Sequence, residues 1–361
     1  MTWPSWLPLR EALRPMSPYG APQVPAEASL NTNENPYSPS PALQKAITDA
    51  VAKVAADLNR YPDRDATVLR TKLADYINEL SSTGFSAENI WAANGSNEII
   101  QSIFLAFAQG PVLGFTPSYS MHPLIAKVTG AQWIDGKRNA DFSLNTTDAV
   151  AEIQKHKPTL TFITTPNNPT GGALTIDEIQ QLADACKAVG GLLVVDEAYA
   201  EFSQEISAVT LIENNPHVIV IRTMSKAFAF AGARLGYLVS DVAVKDAMMI
   251  VRLPYHISAL TQAAAQVAID HRAELLGGVA TLIAARESVV KALGDMGLTT
   301  IASSANFVLF SGFKQEAPQL WAALLEKGVL IRDVGLSGYL RVTIGNKAEN
   351  TLFVTALKEL I

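Results

Sequence analysis

The middle of the chain alternates short apolar runs with segments of helical periodicity, from about residue 40 to 255. The clearest unit starts with the run 160–165, passes through a turn cluster at 166–171 and a helical pattern at 176–189, and ends in the run 192–195. Strands and helices that alternate in this way form βαβ units, whose strands are parallel and covered by helices. The pattern therefore predicts an α/β fold with a mostly parallel sheet.

Local signals mark the limits of the helix in this unit. Thr175 and Glu178 have the spacing of a capping box, and Gly190 is placed to end the helix. Cys186, the single cysteine of the chain, falls on the apolar face of the same helix, so we expect it in the core. One cysteine excludes a disulfide within the chain and any multi-cysteine metal site.

The two ends of the chain differ from the middle. Residues 1–38 are rich in proline and lack periodicity, which indicates an arm that packs on the small domain and the active site and is not a core element. Residues 39–255 are expected to form a large domain and 256–361 a smaller α+β domain. In the latter, an alanine-rich pattern over 258–292 predicts a long helix.

Composition excludes several classes of protein. The 361 residues are 48% hydrophobic, enough for sizeable cores, and the net charge of −6 gives no support for nucleic-acid binding. Prolines and glycines interrupt the longest uncharged stretch, so no membrane helix is expected, and without a secretory pattern we expect a cytoplasmic protein. The five histidines show no metal-ligand spacing, and glycine-rich nucleotide loops are absent. We therefore expect no metal, or a cofactor held by other means.

Three polar motifs each follow an apolar run. Asn167-Asn168 follows 160–165, the segment 196–199 (Asp-Glu-Ala-Tyr) follows 192–195, and Ser225-Lys226 follows the run 218–221. Because ligand groups gather outside the carboxyl ends of the strands in an open α/β sheet, we expect one site that contains an amide, a carboxylate, a phenol and a lysine. A lysine whose pKa is lowered by the site can form a Schiff base and move protons.

A fourth polar segment opens a helix. Asn94-Gly-Ser-Asn97 precedes an apolar helical pattern near 98–108. Free backbone N–H groups and the positive end of the helix dipole at such a position suit a phosphate. The same residues could instead be ordinary helix caps.

Together these motifs resemble those of the pyridoxal-phosphate-dependent aminotransferases of the aspartate aminotransferase fold. The motifs that carry the resemblance are Asn168-Pro-Thr-Gly171, Asp196-Glu-Ala-Tyr199 and the segment 225–236, in the order of the family. The resemblance covers nearly the whole chain. It implies a large domain with a seven-stranded, mostly parallel sheet between helices, and pyridoxal 5′-phosphate as the cofactor.

The resemblance also implies roles for individual residues. Lys226 would hold the cofactor covalently, and Asp196 would pair with the pyridine nitrogen, which keeps the ring an electron sink. Asn168 and Tyr199 would hydrogen-bond the ring's phenolate oxygen, and Arg234 would bind the cofactor phosphate. The remaining expected cofactor contacts are Gly95, Ser96, Asn97, Thr223 and Ser225, with Tyr119 stacked on the ring.

Within this family the chain resembles most the histidinol-phosphate aminotransferases. The resemblance rests on the segments 30–36, 59–62, 222–226 and 340–345. It implies a homodimer in which Tyr61 reaches the cofactor phosphate of the neighbouring subunit. The implied substrate residues are Arg332 and Arg341, which would bind substrate anions, together with Tyr19 and Asn33 of the arm. The eight-residue gap between the two arginines is short for the family.

Other interpretations stay open at this point. Lys226 could be a surface lysine, Asn168 a turn residue, and Arg332 and Arg341 surface ion-pair partners; Tyr119 and Tyr199 could be packing aromatics. An aromatic amino acid aminotransferase is the nearest alternative function. A pyridoxal-phosphate-dependent decarboxylase of a phosphorylated amino acid, or a ligand-binding protein that kept the fold, is more distant.

Overall fold

The computed structural model describes residues 3–361. The strands are β1 (Ala28–Ser29), β2 (Ile90–Ala93), β3 (Val112–Thr116), β4 (Trp133–Lys137), β5 (Leu160–Thr164), β6 (Leu192–Asp196), β7 (Val218–Thr223), β8 (Gly236–Val239), β9 (Thr299–Thr300), β10 (Phe307–Ser311), β11 (Val329–Leu330) and β12 (Tyr339–Thr343). The helices are α1 (Pro41–Ala55), α2 (Thr67–Ser81), α3 (Ser96–Phe107), α4 (Met121–Thr129), α5 (Thr146–His156), α6 (Ile176–Val189), α7 (Val242–Val251), α8 (Ala259–Asp270), α9 (Arg272–Gly277), α10 (Val279–Asp295), α11 (Ala317–Glu326) and α12 (Lys347–Leu360).

Seven strands form the central sheet, in the order β2-β8-β7-β6-β5-β3-β4. Its strand pairs are parallel except for those of β8, which is antiparallel to β2 and to β7. Along β6 the buried side chains alternate: Leu193 and Val195 pack into one core and Val194 into another, on the opposite face. Burial on both faces is the reason for the unbroken apolar runs. The predicted α/β fold with a mostly parallel sheet is confirmed.

The local signals along the unit 160–195 are also confirmed. Thr175 caps α6 in a capping box with Glu178, and Gly190 ends the helix with a φ of 74°, a left-handed conformation that costs glycine little. Cys186 is fully buried in the core beneath the sheet.

The end of the N-terminal arm was wrongly predicted to lie outside the core. β1 pairs in parallel with β11, and Ala28 and Leu30 are buried in the core of the last hundred residues. The backbone N–H of Thr343 donates to the carbonyl oxygen of Leu30 over 2.9 Å. The arm segment thus supplies hydrogen bonds that β11 and β12 would otherwise lack.

The alanine-rich segment forms three helices, α8, α9 and α10, where one long helix was predicted. The helices meet at His271 and at Gly278, and glycine is the poorest helix former after proline. α8 packs against α1 and α2, beneath the large sheet, whereas α10 packs against α12 in the other core. The domain limits at residues 38 and 255 stay a prediction.

Candidate active site

A cavity of ≈ 590 Å³ lies beyond the carboxyl ends of β5, β6 and β7. Segments on either side of β1, the residues 332–334 and Arg341 of β12 complete its wall. The predicted site residues that line it are Tyr19, Asn33, Ser96, Asn97, Tyr119, Asn168, Asp196, Tyr199, Thr223, Ser225, Lys226, Arg234, Arg332 and Arg341. Gly95 lies beside it, next to Arg234, and Tyr61 lies outside it.

Lys226 follows β7 and extends into the cavity. Its Nζ donates a hydrogen bond of 2.8 Å to the backbone carbonyl of Thr32. Burial, helped by the positive charge of Arg341, lowers the pKa of Lys226 to about 8. A surface lysine would show neither feature. The lowered pKa makes the uncharged, nucleophilic amine accessible near neutral pH.

Asp196 is the last residue of β6 and is buried. Its Oδ1 accepts a hydrogen bond of 3.2 Å from the backbone N–H of Ala198, and its Oδ2 lies 3.3 Å from Nε2 of His122. His122 is buried in α4, with its ring edge-on to Tyr119 at 5.5 Å. Sequence reasoning missed His122, because a lone histidine on a helix has no distinguishing spacing. The contact holds the carboxylate in place at the end of β6.

Arg234 and the start of α3 form a second part of the cavity. α3 begins without a side-chain cap at Gly95, so the interpretation of 94–97 as ordinary caps is wrong. A Cβ added to Gly95 would lie 2.8 Å from Nη2 of Arg234, so glycine leaves the space that the guanidinium occupies. The hydroxyl of Thr223 donates to that of Ser225 over 3.1 Å. Uncapped N–H groups, hydroxyls and a guanidinium make an anion site.

Tyr199 and Asn168 line the cavity and contact residues of the N-terminal arm and of β12. Asn33 Nδ2 donates a hydrogen bond of 2.8 Å to the phenol oxygen of Tyr199, and burial raises the pKa of Tyr199 to about 12. Asn33 Oδ1 accepts from the hydroxyl of Thr343 over 2.9 Å, so both ends of its amide are engaged. Asn168 Oδ1 accepts from Arg341 Nη1. The Tyr199 hydroxyl therefore stays protonated and able to donate.

Arg341 and Arg332 are neighbours across an antiparallel bridge, and each donates its backbone N–H to the other's carbonyl over 2.9 Å. Arg341 Nη2 donates to the carbonyl of Asn31 over 2.8 Å, and its guanidinium lies 5.1 Å from the ring centre of Phe307. Burial lowers the pKa of Arg341 to about 10. Among residues 3–361 neither arginine has a carboxylate within 4.0 Å, so the interpretation as surface ion pairs is wrong.

The three predicted aromatic contacts have different surroundings. Tyr119 packs on the core with one edge, and its hydroxyl donates to Asn97 Oδ1 over 3.1 Å at the cavity wall. Tyr19 is half exposed at the cavity. Tyr61 is 79% exposed and stacks on Tyr255 with the ring centres 4.4 Å apart. Tyr61 therefore does not line the cavity of its own chain.

The residues present fit pyridoxal phosphate. An uncharged amine suits its aldehyde, a buried carboxylate suits its pyridine nitrogen, and the anion site around Arg234 suits its phosphate. Gly95 lets Arg234 Nη2 approach the uncapped start of α3, which places the two anion-binding features side by side. Arg341, which also lines the cavity, has its Nε buried without a hydrogen-bond partner among the described residues.

Two further features concern the described part of the chain as a whole. Within residues 3–361 no group of three or more acidic, histidine or cysteine side chains is arranged to bind a metal ion. Over the same residues no helix combines the length and the apolar character needed to cross a membrane.

Comparisons with known proteins extend this description. The family model of aminotransferase class I and II matches residues 27–357. The chain is 53% identical over 355 residues to the histidinol-phosphate aminotransferase of Mycolicibacterium vanbaalenii, covering 97% of this chain and 95% of that one. It is 52% identical over 354 residues to that of Mycobacterium marinum, with 97% and 91% covered.

A solved structure shows the same fold. The histidinol-phosphate aminotransferase of Sinorhizobium meliloti in complex with pyridoxal-5′-phosphate superposes with a TM-score of 0.81 at 24% identity. The superposition covers 93% of this chain and 91% of that one.

Proposed function

This chain belongs to the class I and II aminotransferase family, and from that premise we propose that it is a histidinol-phosphate aminotransferase. The reaction transfers an amino group between L-histidinol phosphate and 2-oxoglutarate, giving imidazole-acetol phosphate and glutamate, or runs in reverse in histidine biosynthesis. The substrates are small molecules and the cofactor is pyridoxal phosphate. The observation that carries the proposal is the buried Lys226, with a pKa of about 8, in a cavity shared with Asp196 and Arg234.

The cofactor would be held at its two ends. Arg234, the hydroxyls of Thr223 and Ser225, and the start of α3 at Gly95 would bind the phosphate, with Ser96 and Asn97 adding donors. Asp196 would keep the pyridine nitrogen protonated, because an adjacent carboxylate favours the charged form. Tyr119 would cover one face of the ring. Bound in this way, pyridoxal phosphate supplies an electron sink for the electron pair left at the substrate Cα.

The residues of the chain would then move protons and hold charge. Lys226 Nζ, once free as an amine, would accept the proton from the substrate Cα, and its pKa near 8 matches that task at neutral pH. Tyr199, whose pKa is raised by burial to about 12 and whose hydroxyl is therefore protonated at neutral pH, would donate to the ring oxygen together with Asn168. Asp196, Tyr199 and Lys226 are thus the proposed catalytic residues.

Arg332 and Arg341 would bind the anionic end of both substrates. The phosphate of histidinol phosphate and the side-chain carboxylate of glutamate are both anions that a guanidinium binds through two parallel hydrogen bonds. The absence of carboxylate partners within 4.0 Å, among the described residues, leaves both guanidiniums able to accept a substrate anion. Tyr19 would cover the same end, and Asn33 would act through its hydrogen bond to Tyr199.

We further propose a homodimer with shared sites. Large apolar side chains are exposed on the segments 58–61 and 250–255, which lie together because Arg252 Nη1 donates to the carbonyl of Arg64 over 2.8 Å. Asn94 Nδ2 donates to the carbonyl of His256 over 2.8 Å and joins this face to the start of α3. An exposed apolar face of this kind suits a second copy, whose Tyr61 would reach the phosphate. A cytoplasmic location is part of the same proposal.

The proposal is tested by two measurements on the purified holoenzyme. Glutamate should convert the absorption of the bound cofactor to that of its amino form, and imidazole-acetol phosphate should restore it; a decarboxylase would release carbon dioxide instead. Replacing Lys226 by alanine should abolish turnover, a loss of about a thousandfold or more, as for removal of a general base. Lys291→Ala, at an exposed position of α10, should leave turnover unchanged.

The substrate is decided by a second comparison. If kcat/KM for phenylalanine exceeds that for histidinol phosphate, the protein is an aromatic amino acid aminotransferase instead. If the cofactor binds but neither half-reaction occurs, the ligand-binding alternative is favoured.

A further inference from the structure

Three charged side chains are buried together behind the cavity, outside the residues assigned above. Arg222 Nη2 lies 2.9 Å from Glu197 Oε2, and Arg222 Nη1 lies 3.0 Å from Glu201 Oε1. The side chains of Arg222 and Glu197 are each 3% exposed. Ser207 joins them, because its hydroxyl accepts from Arg222 Nη2 over 2.9 Å and donates to Glu197 Oε2 over 2.7 Å. The cluster is therefore a closed, solvent-excluded network.

The network lies on the opposite face of the sheet from the cofactor site. Glu197 directly follows Asp196, and Arg222 directly precedes Thr223. Because successive strand residues point to opposite faces, the side chains of Asp196 and Thr223 face the cavity while those of their neighbours face away. Tyr76 of α2, beneath the far face, donates to Glu201 Oε1 over 3.2 Å and confirms this side of the network.

The network also joins the ends of the two strands. The backbone N–H of Glu197 donates to the carbonyl of Ile221 over 2.9 Å, which continues the pairing of β6 with β7. Glu197 Oε1 in addition accepts from the backbone N–H of Ala208 over 2.7 Å. The guanidinium of Arg222, the residue before Thr223, thus contacts Glu197, the residue after Asp196. The contact lies where the regular pairing of β6 with β7 ends.

We propose that Arg222 is a positioning residue of the proposed reaction, which holds Asp196 and Thr223 in register from the far side of the sheet. The inference rests on the assignment of those two residues to the cofactor. Stability alone does not account for the network: buried ion pairs contribute little more than apolar side chains of the same volume, and Arg222 Nε is left without a partner. A planar guanidinium, by contrast, fixes several acceptors in one rigid geometry, which the rotating ammonium of a lysine does not provide.

The test compares Arg222→Lys with Glu201→Gln. Arg222→Lys keeps the charge but loses the geometry that spans Glu197, Glu201 and Ser207, whereas Glu201→Gln keeps the shape and removes one charge. We expect Arg222→Lys to weaken the binding of pyridoxal phosphate to the apo-protein and to lower kcat, each about tenfold, with KM for glutamate within about twofold. Glu201→Gln should change both by about threefold or less. Cofactor binding is read from protein fluorescence.

The matched control is Arg70→Lys, since Arg70 is equally buried and holds the carbonyl of Ile90 over 2.7 Å, away from the cavity. Arg222→Lys with an unchanged dissociation constant and kcat, but a lower Tm like that of Arg70→Lys, would overturn the proposal. Equal losses in Glu201→Gln and Arg222→Lys would also overturn it, because charge and not geometry would then be responsible.

Two further measurements apply if Arg222→Lys does not fold or if the proposed substrate is wrong. If Arg222→Lys does not fold, Ser207→Ala removes one contact of Arg222 and should weaken cofactor binding and kcat about two- to threefold; no change in either would contradict the proposal. The dissociation constant requires no amino-group substrate, so a wild-type protein that binds the cofactor but does not turn over histidinol phosphate would refute the proposed substrate and leave this comparison valid.

Discussion

The amine of Lys226 donates a hydrogen bond of 2.8 Å to the backbone carbonyl of Thr32. Lys226 follows β7 of the large sheet, whereas Thr32 lies just after β1, in the arm segment that packs with β11. The proposed reactive group is thus held at the contact between the large sheet and the N-terminal segment. In the same segment, Asn33 contacts Tyr199 and the carbonyl of Asn31 accepts from Arg341.

The pH dependence of cofactor attachment follows from the surroundings of Lys226. Burial lowers its pKa to about 8, and only the uncharged amine attacks an aldehyde. The rate constant for covalent capture of pyridoxal phosphate by the apo-protein should therefore rise about tenfold per pH unit below 8 and level off above it. Stopped-flow absorbance measures this rate constant from about pH 6.5 to about pH 9.5, a range that brackets the lowered pKa. Lys226→Ala serves as the blank.

The same shift has a consequence for stability. From pH 8 to 10.5 the unfolded chain holds a proton on this lysine that the folded apo-protein has lost, so this group makes the apo-protein more stable as pH rises through that window. A capture rate that keeps rising toward pH 10.5, the ordinary value for lysine, would contradict the buried environment.

Arg341 should matter more than its neighbour Arg332 for anion binding. Arg341 is 6% exposed and held by Asn31 and Phe307, whereas Arg332 is half-buried. Arg341→Lys should raise KM for glutamate and for histidinol phosphate on the order of ten- to a hundredfold, because a lysine cannot offer two parallel hydrogen bonds. Arg332→Lys should have a smaller effect. Steady-state kinetics with each substrate measure this, and unchanged KM values in both variants would show that the anion binds elsewhere.

Gly171 ends the Asn-Pro-Thr-Gly loop against Ser303. Its φ is +89°, and an added Cβ would lie 2.9 Å from the Cα of Ser303 and closer still to its side chain. Gly171→Ala should therefore lower the free energy of unfolding by about 1–3 kcal/mol and reduce kcat by displacing Asn168. Gly172→Ala is the matched control, since nothing lies within 4 Å of its Cβ position. Thermal unfolding of both variants measures the difference; equal Tm values would contradict the close contact.

Shared sites predict complementation between two inactive variants. Lys226→Ala removes the amine of a chain's own site, whereas Tyr61→Ala would remove a group that the chain lends to its partner. Mixing the two in equal amounts, with subunit exchange, should restore about a quarter of wild-type activity, because half of the dimers then carry one intact site of two. Each variant alone should be far less active. No recovery after verified exchange would show that Tyr61 serves its own chain or none.

Much of this site could be predicted from the sequence because its residues are tied to regular structure. Asn168, Asp196, Thr223 and Lys226 lie at or just after the ends of three buried strands, and parallel strands bring such ends to one edge of the sheet. The cap of α6 and the burial of Cys186 were likewise predictable from spacing.

Residues far apart in sequence were harder to place. His122 lies on a helix 74 positions before Asp196 in the sequence, and no periodicity in the sequence indicates that the two side chains are in contact. The buried end of the arm was mistaken for a surface segment, because two residues of strand are too short to leave a pattern and are stabilised by their partner β11.

The sequence by itself determined the alternation of strands and helices, the strand-end motifs and their chemistry, because these follow from local periodicity and turn preference. Only the tertiary structure decided that Arg332 and Arg341 share a bridge, that Thr32 accepts from Lys226, and that Arg222 lies behind Asp196. These relations depend on long-range packing, which buries charged groups only where distant segments supply their partners. That burial is also what lowers the pKa of Lys226 and suits it to its proposed role.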